Sequence, residues 1–117
     1  MIPTLQDFKA ELFRTLANPV RIRILEVLRH AGSLTVREIQ QRVGAEPANV
    51  SQHLALMRGR GLVSTRRDGT SIWYSIAEPQ LFEMLDAARA IFDNQLAAQA
   101  KLAEDADSAA VAADERG

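Results

Sequence analysis

Apolar side chains recur every three or four positions through the first half of the chain, give way to two strand-like runs, and return to helical spacing near the end. Thr4, with Asp7 three residues on, is the start signal of a helix whose apolar stripe is Leu5, Phe8, Leu12, Phe13 and Leu16. Asn18 followed by Pro19 opens a second helix, with Val20, Ile24, Val27 and Leu28 on one stripe and His30, Ala31 and Gly32 at its end. Thr35 and Glu38 read as a capping box for a short third helix through Ile39 and Val43, closed by Gly44 in the left-handed conformation. Pro47 then presets the first turn of a fourth helix that reaches Arg58. Its buried stripe is Val50, Leu54 and Met57, so Ala48, Asn49, Ser51, Gln52 and Ala55 face outward, and Gly59 and Gly61 break it.

Residues 62–67 and 71–76 flank Asp68-Gly69-Thr70, and an Asp-Gly pair between strand-like runs predicts a β-hairpin, with Trp73 or Tyr74 as its anchor. From Pro79 a last helix carries Leu81, Leu85, Ala88, Phe92, Leu96 and Gln99 at three-four spacing, and one face of so long a helix needs a partner. From Ala103 the chain is mostly Ala and acidic residues, which bury too little apolar area to offset the entropy of ordering. The expected organisation is one folded domain over residues 1–102 and a frayed or disordered tail over residues 103–117. The expected class is mainly α within α+β, in the order α-α-α-α-β-β-α.

Composition narrows the chemistry. Hydrophobic residues make up 47% of the 117 residues and aromatics only 5%, which suits packed Leu, Ile, Val and Ala helices around one core. Cysteine is absent, so disulfides, thiolate metal sites and thiol redox sensing are excluded. Asp7, Lys9, Glu11 and Arg14 interrupt any signal-peptide core or membrane span near the start, which predicts a cytoplasmic protein with no membrane partner.

The formal net charge of −1 conceals an asymmetry. Residues 1–18 sum to zero and residues 77–117 to −6, whereas residues 19–76 carry nine Arg against Glu26, Glu38, Glu46 and Asp68, a balance of +5. A basic middle segment of that kind can neutralise phosphates. It coincides with two short helices joined by a tight turn and followed at once by a hairpin, the layout of a winged helix-turn-helix. A major groove about 12 Å wide admits one helix, and short Ser, Asn and Gln side chains let the backbone approach base edges.

Three fragments in order, LANPVRIRIL from Leu16 to Leu25, VSQHL from Val50 to Leu54 and GLV from Gly61 to Val63, resemble the ArsR/SmtB family of bacterial winged-helix regulators over roughly residues 5–100. The resemblance implies a transcriptional regulator, of repressor type, that binds inverted repeats in double-stranded promoter DNA. It also implies a homodimer formed by the first and last helices, through Leu5, Phe8, Leu12, Leu85, Phe92 and Leu96. Matched position by position, Ala48, Asn49, Ser51, Gln52 and His53 fall on the family's recognition helix, and Arg66, Arg67, Thr70 and Ser71 on its wing. His53 has two readings, a core or capping role beneath the helix and a DNA contact. Arg58 and Arg60 have two readings, tracking the phosphate backbone, which is favoured, and solvating the end of the helix. Thr70 and Ser71 stand where the family often has arginines, so insertion into the minor groove falls to Arg66 and Arg67.

The family's metal sites do not carry over. Its paired cysteines correspond to Thr35 and Arg37, and its site on the last helix to Asp86, Ala88, Gln99 and Leu102, where one ligand of four survives. His30 and His53 are too isolated in sequence for a metal pair, and Glu83, Asp86 and Asp93, which share roughly one face of the last helix, read as a solvated acidic face in preference to a weak site for a hard cation. No metal site and no cofactor are therefore expected. Three functions remain: an autonomous dimeric repressor answering to a small molecule or to its own abundance, a DNA-binding subunit whose signal comes from a regulatory partner protein, and a winged helix used for protein or RNA contact. An enzyme is not expected, since the chain has no Gly-rich phosphate loop, no His-Glu-x-x-His run and no cysteine nucleophile.

Overall fold

Local chemistry sets where each helix begins. In the computed structural model, which describes residues 2–116, Thr4 and Asp7 form a reciprocal capping box at the start of α1 (Leu5–Leu16), and the Asn18 side chain accepts from the backbone N–H groups of Val20 and Arg21 at the start of α2 (Pro19–Ala31). These caps satisfy helix-terminal donors that otherwise lack partners. Gly32, with φ 86°, ends α2.

Ser33, Leu34 and Thr35 form a three-residue strand, β1 (Ser33–Thr35), before α3 (Val36–Val43) begins at the capping box of Thr35 and Glu38. The strand is absent from the order read off the sequence, which becomes α-α-β-α-α-β-β-α. So short a segment has no periodicity of its own and is a strand only because it pairs. Gly44 closes α3 in the left-handed conformation, φ 75° and ψ 20°, and α4 (Pro47–Gly59) follows.

The hairpin is β2 (Val63–Asp68) and β3 (Ser71–Ile76), antiparallel with Asp68 opposite Ser71. Only Gly69 and Thr70 lie in the turn. Gly69 has φ +63° and, among the described residues, no non-glycine residue has positive φ, the pattern of a type II′ turn, whose twist matches that of the strands. β3 is the central strand of the order β1-β3-β2, so Tyr74 lies between Leu34 and Thr65 and Trp73 between Thr35 and Arg66, both half-buried.

The core of this part of the chain comes from α2, β1, α3, α4 and the start of the wing: Ile24, Leu25 and Leu28 of α2, Leu34, Ile39, Val50, Leu54 and Met57, and Leu62 and Val63. The buried arc of α2 includes Leu25, which is fully buried, while Val20 and Val27 of the anticipated stripe are only half-buried. In α1, Leu5 and Phe8 are about 60% exposed, and Leu12 is half-buried.

The chain divides into two units, Met1–Pro79 and Gln80–Gly117. The second is one helix, α5 (Gln80–Arg116). It carries exposed Ile91, Phe92, Leu96 and Leu102, with Leu85 half-buried. Residues 103–116, expected from their composition to fray or to be disordered, continue this helix. Alanine has the highest helix propensity, so an Ala-rich segment extends a helix without burying a face. None of the helices is long and apolar enough, over the described residues, to cross a membrane.

Candidate nucleic-acid interface

The helix-turn-helix consists of α3, the Gly44–Glu46 turn and α4. Val50, Leu54 and Met57 are fully buried, which turns Ala48, Asn49, Ser51, Gln52 and Ala55 to solvent as the spacing predicts. The exposed face is built of small and amide side chains, compatible with close approach to a groove floor. Pro47 at the first helical position presets the backbone, but Glu46 makes no side-chain cap. The orientation of α4 therefore depends on its tertiary anchors.

One of those anchors is His53. Helical spacing puts it at the margin of the buried stripe, three residues from Val50 and four from Met57, and it is half-buried. Its Nδ1 accepts a hydrogen bond from Arg21 Nε at 3.0 Å, while Arg21 Nη1 donates to the Thr15 carbonyl at 3.1 Å. Burial, and then the neighbouring Arg21 charge, hold the His53 pKa below the usual 6.5. Of the two readings open for His53, the structure supplies the contact beneath the helix.

The cationic residues divide in the same way. Arg58, Arg66 and Arg67 are exposed, Arg66 3.8 Å from Asp68 on its own strand. Arg60 Nη2 instead lies 2.9 Å from Glu11 Oε2 of α1, a carboxylate that also pairs with Arg14. Thr70 and Ser71 are exposed at the wing tip. The sequence pointed to the positions of Arg21, Glu11 and Thr15 only as helix content. Arg21 and His53 lie 32 residues apart, and no local spacing signals their pairing.

Thr35 and Arg37 stand where the family resemblance puts thiolates. The Thr35 hydroxyl is taken up by the α3 cap: it donates to Glu38 Oε1 at 3.0 Å and accepts from the Glu38 N–H at 3.3 Å. Neither residue supplies a soft donor, and Ala88, Gln99 and Leu102 supply no imidazole or carboxylate, so these residues do not fit the family's metals. Among the described residues no group of three or more His, Cys, Asp or Glu side chains is placed to share an ion. A cavity of about 60 Å³ lined by Phe8, Glu11, Leu12, Thr15, Arg60 and Leu62 is far below the size of an ordinary small-molecule pocket.

A helix-turn-helix domain family matches residues 16–66, the stretch from the end of α1 to the middle of β2. The chain is 42% identical over 101 residues to an uncharacterized transcriptional regulator of Mycobacterium tuberculosis, Rv0081, an alignment covering 86% of this chain and 89% of that one. The crystal structure of Rv0081 superposes with a TM-score of 0.75, covering 84% of this chain and 98% of that one. The homodimeric winged helix-turn-helix domain of Mb0332 from Mycobacterium bovis, described as a possible ArsR-family regulator, matches with a TM-score of 0.70 at 29% identity, over 79% of this chain and 84% of that one. The chain belongs to the ArsR/SmtB family. A biofilm growth-associated repressor of Xylella fastidiosa is 34% identical over 86 residues, 74% of this chain and 75% of that one. As an ArsR/SmtB protein this chain is a DNA-binding transcriptional regulator, and its winged helix is the DNA-binding part.

Proposed function

We propose that this ArsR/SmtB protein is a cytoplasmic repressor that binds an inverted-repeat operator as a homodimer, with α4 of each protomer in successive major grooves. The observation that carries the reading is the two-sided character of α4: Val50, Leu54 and Met57 are fully buried, while Ala48, Asn49, Ser51 and Gln52 stand in solvent beside an arginine-bearing wing. In this reading Ser51 and Gln52 read base edges, the Gln52 amide being able to bond adenine with both its donor and its acceptor. Ala48 and Asn49 let the helix approach the groove. Arg58, Arg66 and Arg67 hold phosphates, with Thr70 and Ser71 at the wing tip beside them.

The exposed apolar faces of α1 and α5 supply the dimer contacts, through Leu5, Phe8 and Leu12 on the one and Leu85, Phe92 and Leu96 on the other. With Thr35 closed into a helix cap, Arg37 at the other thiolate position and Asp86 alone left of the four last-helix ligands, we take release from DNA to follow a signal other than a thiolate-bound metal.

The test is recovery of bound fragments from the sheared genome of the source organism with purified protein, followed by footprinting. The expected fragments share an inverted repeat with half-sites about 34 Å apart, one helical turn. Failure to enrich any sequence overturns the repressor reading.

A further inference from the structure

Arg21 occupies the third position of α2, inside the first turn, where a positive charge is unfavourable to the helix dipole. Its guanidinium is directed elsewhere. Nη1 donates to the Thr15 carbonyl in the last turn of α1, one of the terminal acceptors that α1 cannot satisfy internally, and Nε donates to His53 Nδ1 in the middle of α4. The Thr15 side chain is buried, and its hydroxyl donates to the Glu11 carbonyl at 2.9 Å. One planar side chain thus connects the end of α1, the start of α2 and the recognition helix.

The bond to His53 has a chemical requirement. Nδ1 accepts only when it carries no proton, so His53 is a neutral imidazole with its hydrogen on Nε2. His53 is four residues from Asn49 and adjacent to Gln52. The buried stripe of Val50, Leu54 and Met57 sets which face of α4 turns inward, and the directed bond to the imidazole adds a polar contact at the margin of that stripe, beside the reading face. Glu46 contributes no side-chain cap at the start of the helix.

We propose that Arg21 and His53 are positioning residues for base reading: their bond ties α4 to the end of α1 and governs operator discrimination without touching a base. This rests on the operator-binding reading above and adds to it a contact that positions the reading helix.

The experiment compares wild type with Arg21→Lys, His53→Leu, His53→Asn and the Arg21→Lys/His53→Leu double variant, on the enriched operator and on random DNA of the same length. Arg21→Lys keeps the charge but loses the planar pair of directed donors. Arg21→Lys and His53→Leu are each expected to weaken operator binding about tenfold, the scale of one hydrogen bond to a charged group, with binding to random DNA unchanged. The double variant is expected to lose no more than either single one, since both remove the same contact. His53→Asn is expected to retain discrimination, because its Oδ1 can accept where Nδ1 did. Equal losses on both DNAs, additive losses, or a His53→Asn variant as poor as His53→Leu would overturn the proposal.

Nitrogen NMR of the free dimer provides a readout without DNA. In wild type, His53 Nδ1 is expected to show the signature of an unprotonated acceptor, and in Arg21→Lys that signal and the amides of residues 48–55 move. Unmoved signals overturn the proposal whatever the DNA result. Should the wild type enrich no operator, the repressor reading fails while the NMR comparison still decides the link between Arg21 and α4. Should Arg21→Lys fail to fold, the contrast between His53→Leu and His53→Asn decides it.

Discussion

Arg60, at the C-terminal end of α4, places Nη2 2.9 Å from Oε2 of Glu11 on α1. Both side chains are well exposed, 51% and 39%, so solvent screens the pair and its contribution to stability is at most about 1 kcal/mol. The contact nevertheless directs Arg60 toward its own chain. Arg60→Ala is therefore expected to leave the slope of log affinity against log salt unchanged, whereas Arg66→Ala or Arg67→Ala reduces it by about one phosphate contact. Titrations of one duplex at several salt concentrations check this. A fall in slope for Arg60→Ala equal to that for Arg66→Ala would return Arg60 to the DNA backbone.

Gln52 projects from the exposed face of α4 between fully buried Val50 and Leu54. Gln52→Ala is expected to cost about 1–3 kcal/mol at one base pair of each half-site and little elsewhere. Selection from a library randomised at each operator position measures it, and the expected outcome is relaxed preference at one symmetric pair of positions. Equal loss on every sequence would remove Gln52 from base reading.

How much of this was legible in the sequence depends on how local each cause is. The caps at Thr4, Asn18 and Thr35, the left-handed Gly44 and the turn at Gly69 are settled by neighbours within four residues, and the structure has each of them. β1 exists only through its pairing with β3, forty residues on in the register of Leu34 with Tyr74, so Ser33–Thr35 carries no strand signal of its own. Leu25 lay outside the anticipated stripe because α2 packs against several elements and its buried arc is wider than one stripe. The reading face of α4 followed from periodicity. The contacts that hold it, Arg21 to His53 and Arg60 to Glu11, join distant segments and needed coordinates.

The wing turn gives a prediction about backbone alone. Gly69 has φ +63°, and a Cβ built there meets nothing within 4 Å, so Gly69→Ala introduces strain without a clash. Holding a non-glycine residue at such a positive φ costs about 1–3 kcal/mol. Urea unfolding is expected to show a loss of that size with an unchanged denaturant slope. A neutral result would mean that the turn relaxes to another type.

His53 makes stability depend on pH. Burial, followed by the Arg21 charge, lowers its pKa in the fold below the unfolded value of about 6.5, so between those two values the unfolded chain binds more protons at this site. The stabilisation from neutral His53 is complete above pH 6.5, declines as pH falls below it, and levels off once the folded-state pKa is passed. Unfolding measured at pH 7.5, 6.5 and 5.5 is expected to show a decline that is smaller in His53→Asn. An identical decline in the variant would place its origin in other groups.

The dimer reading can be tested on each helix separately. Phe8 of α1 is 60% exposed and Phe92 and Leu96 of α5 are 57% and 49% exposed, areas that the monomer leaves in water. Burying a Phe or Leu side chain is worth about 1.5–3 kcal/mol, and placing a carboxylate there instead also costs its desolvation. Phe8→Glu and Phe92→Glu are each expected to give monomer by sedimentation velocity, with the helical circular dichroism of the monomer intact. Because a dimer engages two half-sites at once, losing it should weaken binding to the inverted repeat by about a hundredfold or more, while binding to an isolated half-site stays the same. A monomer that still held the full repeat tightly would show that one recognition helix suffices, and a Phe92→Glu dimer would place the contact on α1 alone.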